Sequence, residues 1–164
     1  MNELLSKISS YNIFNYLLPG AVFSILAERL ALLEAPDELV TQLIWFYFAG
    51  MVISRVGSLV LEPLLKKVAF VNYSDYEKYL SACQSDQKLE TMVEASNTYR
   101  TIATAFLMLL LGNLYVLAAS WIGVSEMWQS RIGIAVLLLL FLFAFRKQSA
   151  FITRRVEHHN GDAT

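Results

Sequence analysis

The sequence has little cysteine and little charge, and each shortage narrows the kind of protein it can encode. The single cysteine, Cys83, excludes an internal disulfide and, by itself, a thiolate metal site. Only 16% of the 164 residues are charged, 56% are hydrophobic, and the mean hydropathy is +0.47. This balance is far more apolar than that of an average soluble domain. The net charge of -1 gives no general reason to expect nucleic-acid binding.

Recognisable catalytic motifs are also lacking in the sequence. It contains no phosphate-binding loop, no G-x-S-x-G and no H-E-x-x-H, and Cys83 has no histidine near it in sequence. His158 and His159 are adjacent, so they cannot present both rings to one metal as a helical i, i+4 pair does. We therefore expect a protein that is not an enzyme and that has no metal site and no cofactor.

What the sequence does contain is long apolar segments, one of which has no charge. The segment Thr101 to Trp121 has 21 residues without a charge, which is about the length a helix needs to cross the hydrocarbon core of a bilayer. Three further apolar segments have similar lengths. We predict an all-α integral membrane protein with four helices, forming one membrane domain over residues 1–164. The predicted spans are 11–33, 39–61, 101–121 and 127–145.

The connections between the spans predict the orientation. Eleven of the thirteen lysine and arginine residues lie before the first span, around the end of the second, in the 62–100 connection or in the tail 146–164. The positive-inside rule places these parts, and both termini, in the cytoplasm. No cleavable signal peptide is expected. Residues Met1 to Ser10 are expected to form a short amphipathic surface helix, and the composition of the tail suggests disorder.

The 62–100 connection is predicted to be a helical cytoplasmic arm. Ser74 to Glu77 spell S-x-x-E, a capping box that begins a short helix. From Asp86 no helix breaker occurs until Gly112, so one long helix is expected to rise from the arm into the third span. The arm and tail supply our candidate partner-binding residues, which are Tyr73, Tyr76, Tyr79, Leu89, Met92, Val93, Arg154 and Arg155.

Three polar residues fall inside or at the edge of predicted spans, namely Asn15, Arg55 and Asn113. Arg55 is costly in hydrocarbon unless it reaches the interface or finds a partner. It is either a structural arginine, reaching the interface or held by Asn15 or Glu62, or part of a polar interior used in function. Asn15 either bonds across helices or faces head groups. Gly112 and Asn113 are expected to point into a bundle.

The segment SSYNIFNYLLPGAVF (residues 9–23), together with NTYRT (residues 97–101) just before a span, resembles small four-helix membrane proteins of bacterial anti-phage defence loci. The likeness is to the membrane subunits of Kiwa systems, and it extends over the whole chain through the arrangement of spans. It implies a homo-oligomeric inner-membrane protein that works with a soluble cytoplasmic partner acting on phage DNA. It assigns no functional residue.

The leading hypothesis is therefore a non-enzymatic oligomeric inner-membrane subunit that senses membrane perturbation or anchors a soluble cytoplasmic effector. The expected partners are the lipid bilayer, further copies of the chain and a soluble cytoplasmic protein, without direct nucleic-acid binding. The alternative is an oligomeric pore that dissipates ion gradients when triggered, with Asn15, Arg55 and Asn113 lining a polar path. A third hypothesis is an assembly scaffold with no sensing role.

Overall fold

The computed structural model describes residues 13–86, 88–122 and 125–161, and within these ranges it contains helices and no strand. A π-helical turn, Ile13–Leu17, leads into α1 (Leu18–Arg29). Helix α2 (Leu39–Val56) continues through a second π-helical turn, Gly57–Leu61, into α3 (Glu62–Lys67). The short α4 (Tyr76–Ser85) precedes two long helices, α5 (Lys88–Ile122) and α6 (Glu126–Gly161).

Three helical stretches in the described ranges are long and apolar enough to cross a membrane: Leu39–Lys67, Lys88–Ala119 and Met127–Glu157. They contain most of the second, third and fourth predicted spans, so the all-helical class and the membrane-compatible helices are confirmed. The first predicted span is described only from Ile13, and it does not meet the same criteria there. The count of four spans stays a prediction. The expected helix at Met1 to Ser10 lies outside the described residues, and so do Gly123 and Val124 between the third and fourth predicted spans.

Both prolines within the helical stretches follow a π-helical turn. Pro19 is the second residue of α1 and Pro63 the second residue of α3, each directly after one of the two π turns. A proline in a regular helix clashes with the carbonyl four residues earlier and cannot donate a backbone hydrogen bond. A wider π turn just before the ring relieves this conflict, so the chain stays helical at both prolines.

Two helices are each followed, two residues after their last residue, by an alanine in the left-handed conformation. The first span was predicted to run to residue 33, but α1 ends at Arg29 and Ala31 has a φ of 54°. The amide of Leu32 then donates to the carbonyl of Ala27 at 2.8 Å, which closes the helix end. Ala69, with a φ of 56°, ends α3 in the same way, and there Phe70 donates to Leu65 at 2.9 Å. The helix therefore ends four residues before the predicted end of the first span.

Helices α1 and α2 pack with their backbones in contact. A Cβ atom added to Gly20 would collide with the carbonyl oxygen of Phe46, and one added to Gly50 would collide with the carbonyl oxygen of Tyr16. Small residues at a helix interface allow such close approach, which is the usual packing device in membranes. The indole of Trp45 donates to the hydroxyl of Ser24 across the same seam at 3.1 Å.

Four parts of the chain share one end of the bundle. They are residues 13–17, the α3 region, the start of the apolar part of α5 and the later part of α6. This follows from contacts such as Gly57 with Thr104, and Lys147 with Ser58. At the other end, Gly112 lies beside Leu32. Neighbouring helices along the chain therefore run antiparallel.

Three predictions for the arm and tail have different outcomes. The long helix from the arm into the third span is confirmed, because α5 is continuous from Lys88 to Ile122. The suggestion of a disordered tail was wrong for residues 146–161, since α6 continues to Gly161. The capping box predicted Ser74 as the residue before this helix, but Asp75 holds that place, and it makes no side-chain capping bond.

Candidate functional site

Charged residues gather at the end of the bundle where the apolar stretches stop. Glu62 is the first residue after the second predicted span, and Arg100 is the last before the third. Lys147 stands two residues after the fourth. Because the helices run antiparallel, the fold brings these three positions together from three separate segments.

Glu62 is at the centre of this group. Its Oε2 accepts from Arg100 Nη1 at 2.7 Å and lies 3.9 Å from Lys147 Nζ, while its Oε1 accepts from Lys66 Nζ at 2.9 Å. The Glu62 side chain is 11% exposed and that of Arg100 18%. Lys147 also donates 2.7 Å bonds to the carbonyl and hydroxyl oxygens of Ser58. One largely buried carboxylate thus faces three cations.

Arg55 has a partner that the sequence did not suggest. Its Nη2 donates to the hydroxyl of Tyr16 at 3.2 Å. The ring of Tyr16 in turn meets that of Tyr47 edge-to-face, with centroids 5.6 Å apart. The predicted holders were Asn15 or Glu62, and neither makes the bond described here. Tyr16 was missed because a tyrosine one turn before a proline carries no distinctive sequence signal.

These side chains line a cavity of about 430 Å³, which is within the usual range of roughly 300–1,000 Å³ for ligand pockets. The charged lining residues are Arg55, Glu62, Arg100 and Lys147, so the cavity has more positive than negative charge. The uncharged lining residues are Asn15, Tyr16, Ser54, Ser58, Tyr73, Asn97, Gln148 and Phe151.

The three predicted intramembrane polar residues have different environments. Asn15 is buried, at 2% exposure, and lines the cavity together with Arg55. Asn113 is exposed on α5, where its Nδ2 donates to the carbonyl of Leu109 at 2.9 Å. Within this single chain Asn113 therefore does not face the bundle, although its neighbour Gly112 does contact Leu32. The fold brings together two of the three residues.

The tyrosines of the arm form a small aromatic group beside the cavity. The Tyr76 ring is 6.3 Å from that of Tyr79 and 5.7 Å from that of Phe151 on α6. The hydrogen bond with Cys83, together with partial burial, raises the pKa of Tyr79 to about 12. Tyr73 is 56% exposed, with the Lys66 ammonium 4.0 Å from its ring centre. Tyr76 and Tyr79 thus pack within the protein, whereas Tyr73 combines exposure with a place at the cavity.

The other predicted partner-binding residues lie on the outside of the two long helices. Met92 is 65% exposed and Val93 37%, while Leu89 is half-buried near the start of α5. Arg154 and Arg155 are both exposed on α6. The side chains of His158 and His159 lie outside the described set. Among the side chains that are described, no group of three potential metal ligands lies close enough to hold an ion.

Comparison of the chain with protein-family models, with curated proteins and with solved structures finds no match. Fold and site together define an all-helical protein with three membrane-compatible helices and a cationic cavity at one end of its bundle.

Proposed function

We propose that this chain is a non-enzymatic, oligomeric subunit of a bacterial inner membrane that senses membrane perturbation or anchors a soluble cytoplasmic effector. The observation that carries the proposal is the continuity of α5. This helix begins in the polar arm at Lys88 and runs without interruption through an apolar stretch to Ile122. A single rigid helix links the part of the protein in lipid to a part that a soluble protein can reach.

The proposed topology has four spans and both termini in the cytoplasm. Its support is the distribution of charge around the bundle. The π turn at residues 13–17, the 62–100 connection and the later part of α6 share one end, and most lysine and arginine residues lie there. The positive-inside rule assigns such an end to the cytoplasm. The resemblance to membrane subunits of Kiwa systems adds anti-phage defence as the proposed setting.

Self-association is supported by a stripe of exposed residues along α5. Its members are separated alternately by four and three positions, the spacing that brings helices together in coiled coils. The stripe residues are Ser96, Tyr99, Ala103, Phe106, Leu110, Asn113 and Leu117, and each is exposed in the single chain. An asparagine in lipid is best satisfied by another helix, so contact between copies would give Asn113 a polar neighbour.

Oxidative cross-linking in membranes tests the stripe. In a Cys83→Ala background, Asn113→Cys is expected to form disulfide-linked dimers readily. Leu111→Cys is the matched control, because Leu111 is also exposed but points to the opposite side of α5. Equal cross-linking of the two variants would count against self-association through this stripe.

The arm offers a surface for a soluble effector, because Met92 is an exposed apolar side chain in its polar half. The test is co-purification of the soluble protein encoded at the same locus. Met92→Asp is expected to abolish recovery, whereas Thr91→Asp adds the same charge at an exposed position beside it and is expected to retain it. Unchanged recovery of the soluble protein with Met92→Asp would show that Met92 does not contact it. Loss of the soluble protein with both variants would show no role specific to Met92.

The second candidate, an oligomeric pore, is favoured by the position of Asn113 on the same stripe. If the stripes of several copies border a central pore, each copy presents the Asn113 amide to that pore at mid-membrane depth. Planar-bilayer recordings of the purified protein test this candidate, and Asn113→Leu is expected to lower any conductance. Silence of the wild-type oligomer under phage-induced and voltage triggers would refute it.

A further inference from the structure

The cationic cavity lies at the depth where helices pass from hydrocarbon to water. Glu62, Arg100 and Lys147 flank the ends of three predicted spans, within two residues in each case, and all three line the cavity. In a bilayer this level is occupied by phospholipid head groups. The cavity is also bordered by the aromatic rings of Tyr73 and Phe151. Of these two residues, tyrosine is typical of the membrane interface.

The charges around the cavity are not balanced within the described chain. Arg55, Arg100 and Lys147 line the cavity with a single carboxylate, that of Glu62. Lys66 binds the same carboxylate from outside the lining. The bond from Arg55 goes to a neutral phenol, and no carboxylate in the described ranges lies within ion-pair distance of it. Cations withdrawn from water are costly without an opposite charge, so the arrangement favours an anion.

One donor in the group has no protein acceptor. The Nε of Arg100 is buried and makes no hydrogen bond within the part of the chain that the structure describes. The same side chain uses its Nη1 to bind Glu62. A guanidinium presents several donors in a planar fork that matches phosphate oxygens, and a lysine ammonium adds a compact charge. Two arginines and a lysine facing one space fit a phosphate group.

We propose that this cavity binds a phosphate group, and that a phospholipid of the surrounding membrane supplies it. An anionic head group such as that of phosphatidylglycerol fits best, because a choline head group would bring a further positive charge toward Arg55 and Lys147. The inference depends on the membrane placement of the helices. It does not depend on self-association or on a soluble partner, so failure of either leaves it standing.

Native mass spectrometry of the purified chain in detergent tests the proposal, because detergent removes the general attraction of a charged membrane surface. Wild-type protein is titrated with phosphatidylglycerol, with phosphatidylcholine of the same acyl chains, and with inorganic phosphate. We expect retained phosphatidylglycerol, much less phosphatidylcholine, and a higher thermal unfolding midpoint with phosphatidylglycerol alone. These wild-type measurements do not depend on any variant folding correctly.

Variants then locate the site. Arg55→Gln and Lys147→Gln are each expected to weaken phosphatidylglycerol binding about tenfold, the usual effect of losing one charge-assisted bond. Lys88→Gln removes one charge from an exposed position outside the cavity lining and is expected to leave binding unchanged. Lys147→Arg should preserve most of the affinity.

Three results would overturn the proposal in different ways. Equal affinity of the cavity variants and Lys88→Gln would show that the lipid binds elsewhere. Equal retention of phosphatidylcholine and phosphatidylglycerol would show that no anionic phosphate is selected. Protection by inorganic phosphate without protection by phosphatidylglycerol would keep a phosphate site but overturn the lipid as its source.

Discussion

Replacing Gly50 with alanine is expected to separate the first two helices and destabilise the whole bundle. A Cβ at this position would collide with the carbonyl oxygen of Tyr16 and approach its Cα to 2.9 Å. Ordinary Cβ contacts begin near 3.4 Å, so the backbones must move apart by at least half an ångström. The bond from Trp45 to Ser24, now 3.1 Å, would then exceed the 3.5 Å limit for a hydrogen bond.

The two effects together set the magnitude. Overpacking a close interface costs about 1–3 kcal/mol, and a lost hydrogen bond adds about 1 kcal/mol. The assay is thermal unfolding in detergent, with Trp45 fluorescence as a local probe of the seam after Trp121 and Trp128 are changed to phenylalanine. Gly133→Ala is the matched control, because a Cβ there would meet nothing within 4 Å. Alanine should raise helix stability at that site by up to about 1 kcal/mol. If the Gly50 and Gly133 variants unfold alike, the close packing of α1 on α2 is refuted.

Two further predictions concern charge and ionisation. Glu62→Gln leaves Arg100 and Lys147 without their carboxylate and should lower the unfolding free energy by about 3 kcal/mol, seen as an earlier thermal midpoint. Asp75→Asn is its control, because the Asp75 and Lys78 side chains are 80% and 79% exposed. Their ion pair should contribute at most about 1 kcal/mol to the unfolding free energy. Equal shifts of the thermal midpoint in the two variants would contradict a stabilising network around Glu62. The pKa of Tyr79, about 12, should fall toward 10 in Cys83→Ala, read from tyrosinate absorbance as the difference from Tyr79→Phe variants. Because the pKa of Tyr79 is higher in the folded protein than the ordinary value of 10, its contribution to stability is complete below pH 10 and is lost as the pH rises toward 12. An unchanged titration of Tyr79 in Cys83→Ala would show that Cys83 does not cause the raised pKa.

The sequence predicted the three membrane-compatible helices because long apolar segments and missing helix breakers are local signals. The continuity of α5 followed directly from the absence of glycine and proline between Asp86 and Gly112. The same reasoning would have extended α6, because neither residue occurs between Gly133 and Gly161. Polarity was taken there as a sign of disorder, although a polar helix can continue from an apolar one when nothing breaks it and Phe151 packs on Tyr76.

The candidate site could be predicted only in part, because it is assembled from residues far apart in the chain. Arg55 and Asn15 stood out as polar residues in apolar surroundings. Arg100 and Lys147 did not, since a charge beside the end of a span is ordinary. Their meeting at Glu62 depends on the antiparallel packing of three helices. The close contact at Gly20 and Gly50 was missed for a similar reason: a glycine reveals its role only when the facing backbone is known.

The proposed site and the proposed function meet at one place on α5. Arg100 lies where the arm joins the apolar part of this helix, and it is bound to Glu62 at the wall of the cavity. One turn further on, Thr104 is fully buried beside Gly57, which fixes the helix against α2 and α3. A change in the head group held at the cavity would therefore act on the junction of a continuous helix rather than on a flexible linker. Because a rigid helix transmits a tilt at its junction to both ends, a disturbance of the lipid surface would reach the exposed arm around Met92 without any intervening element.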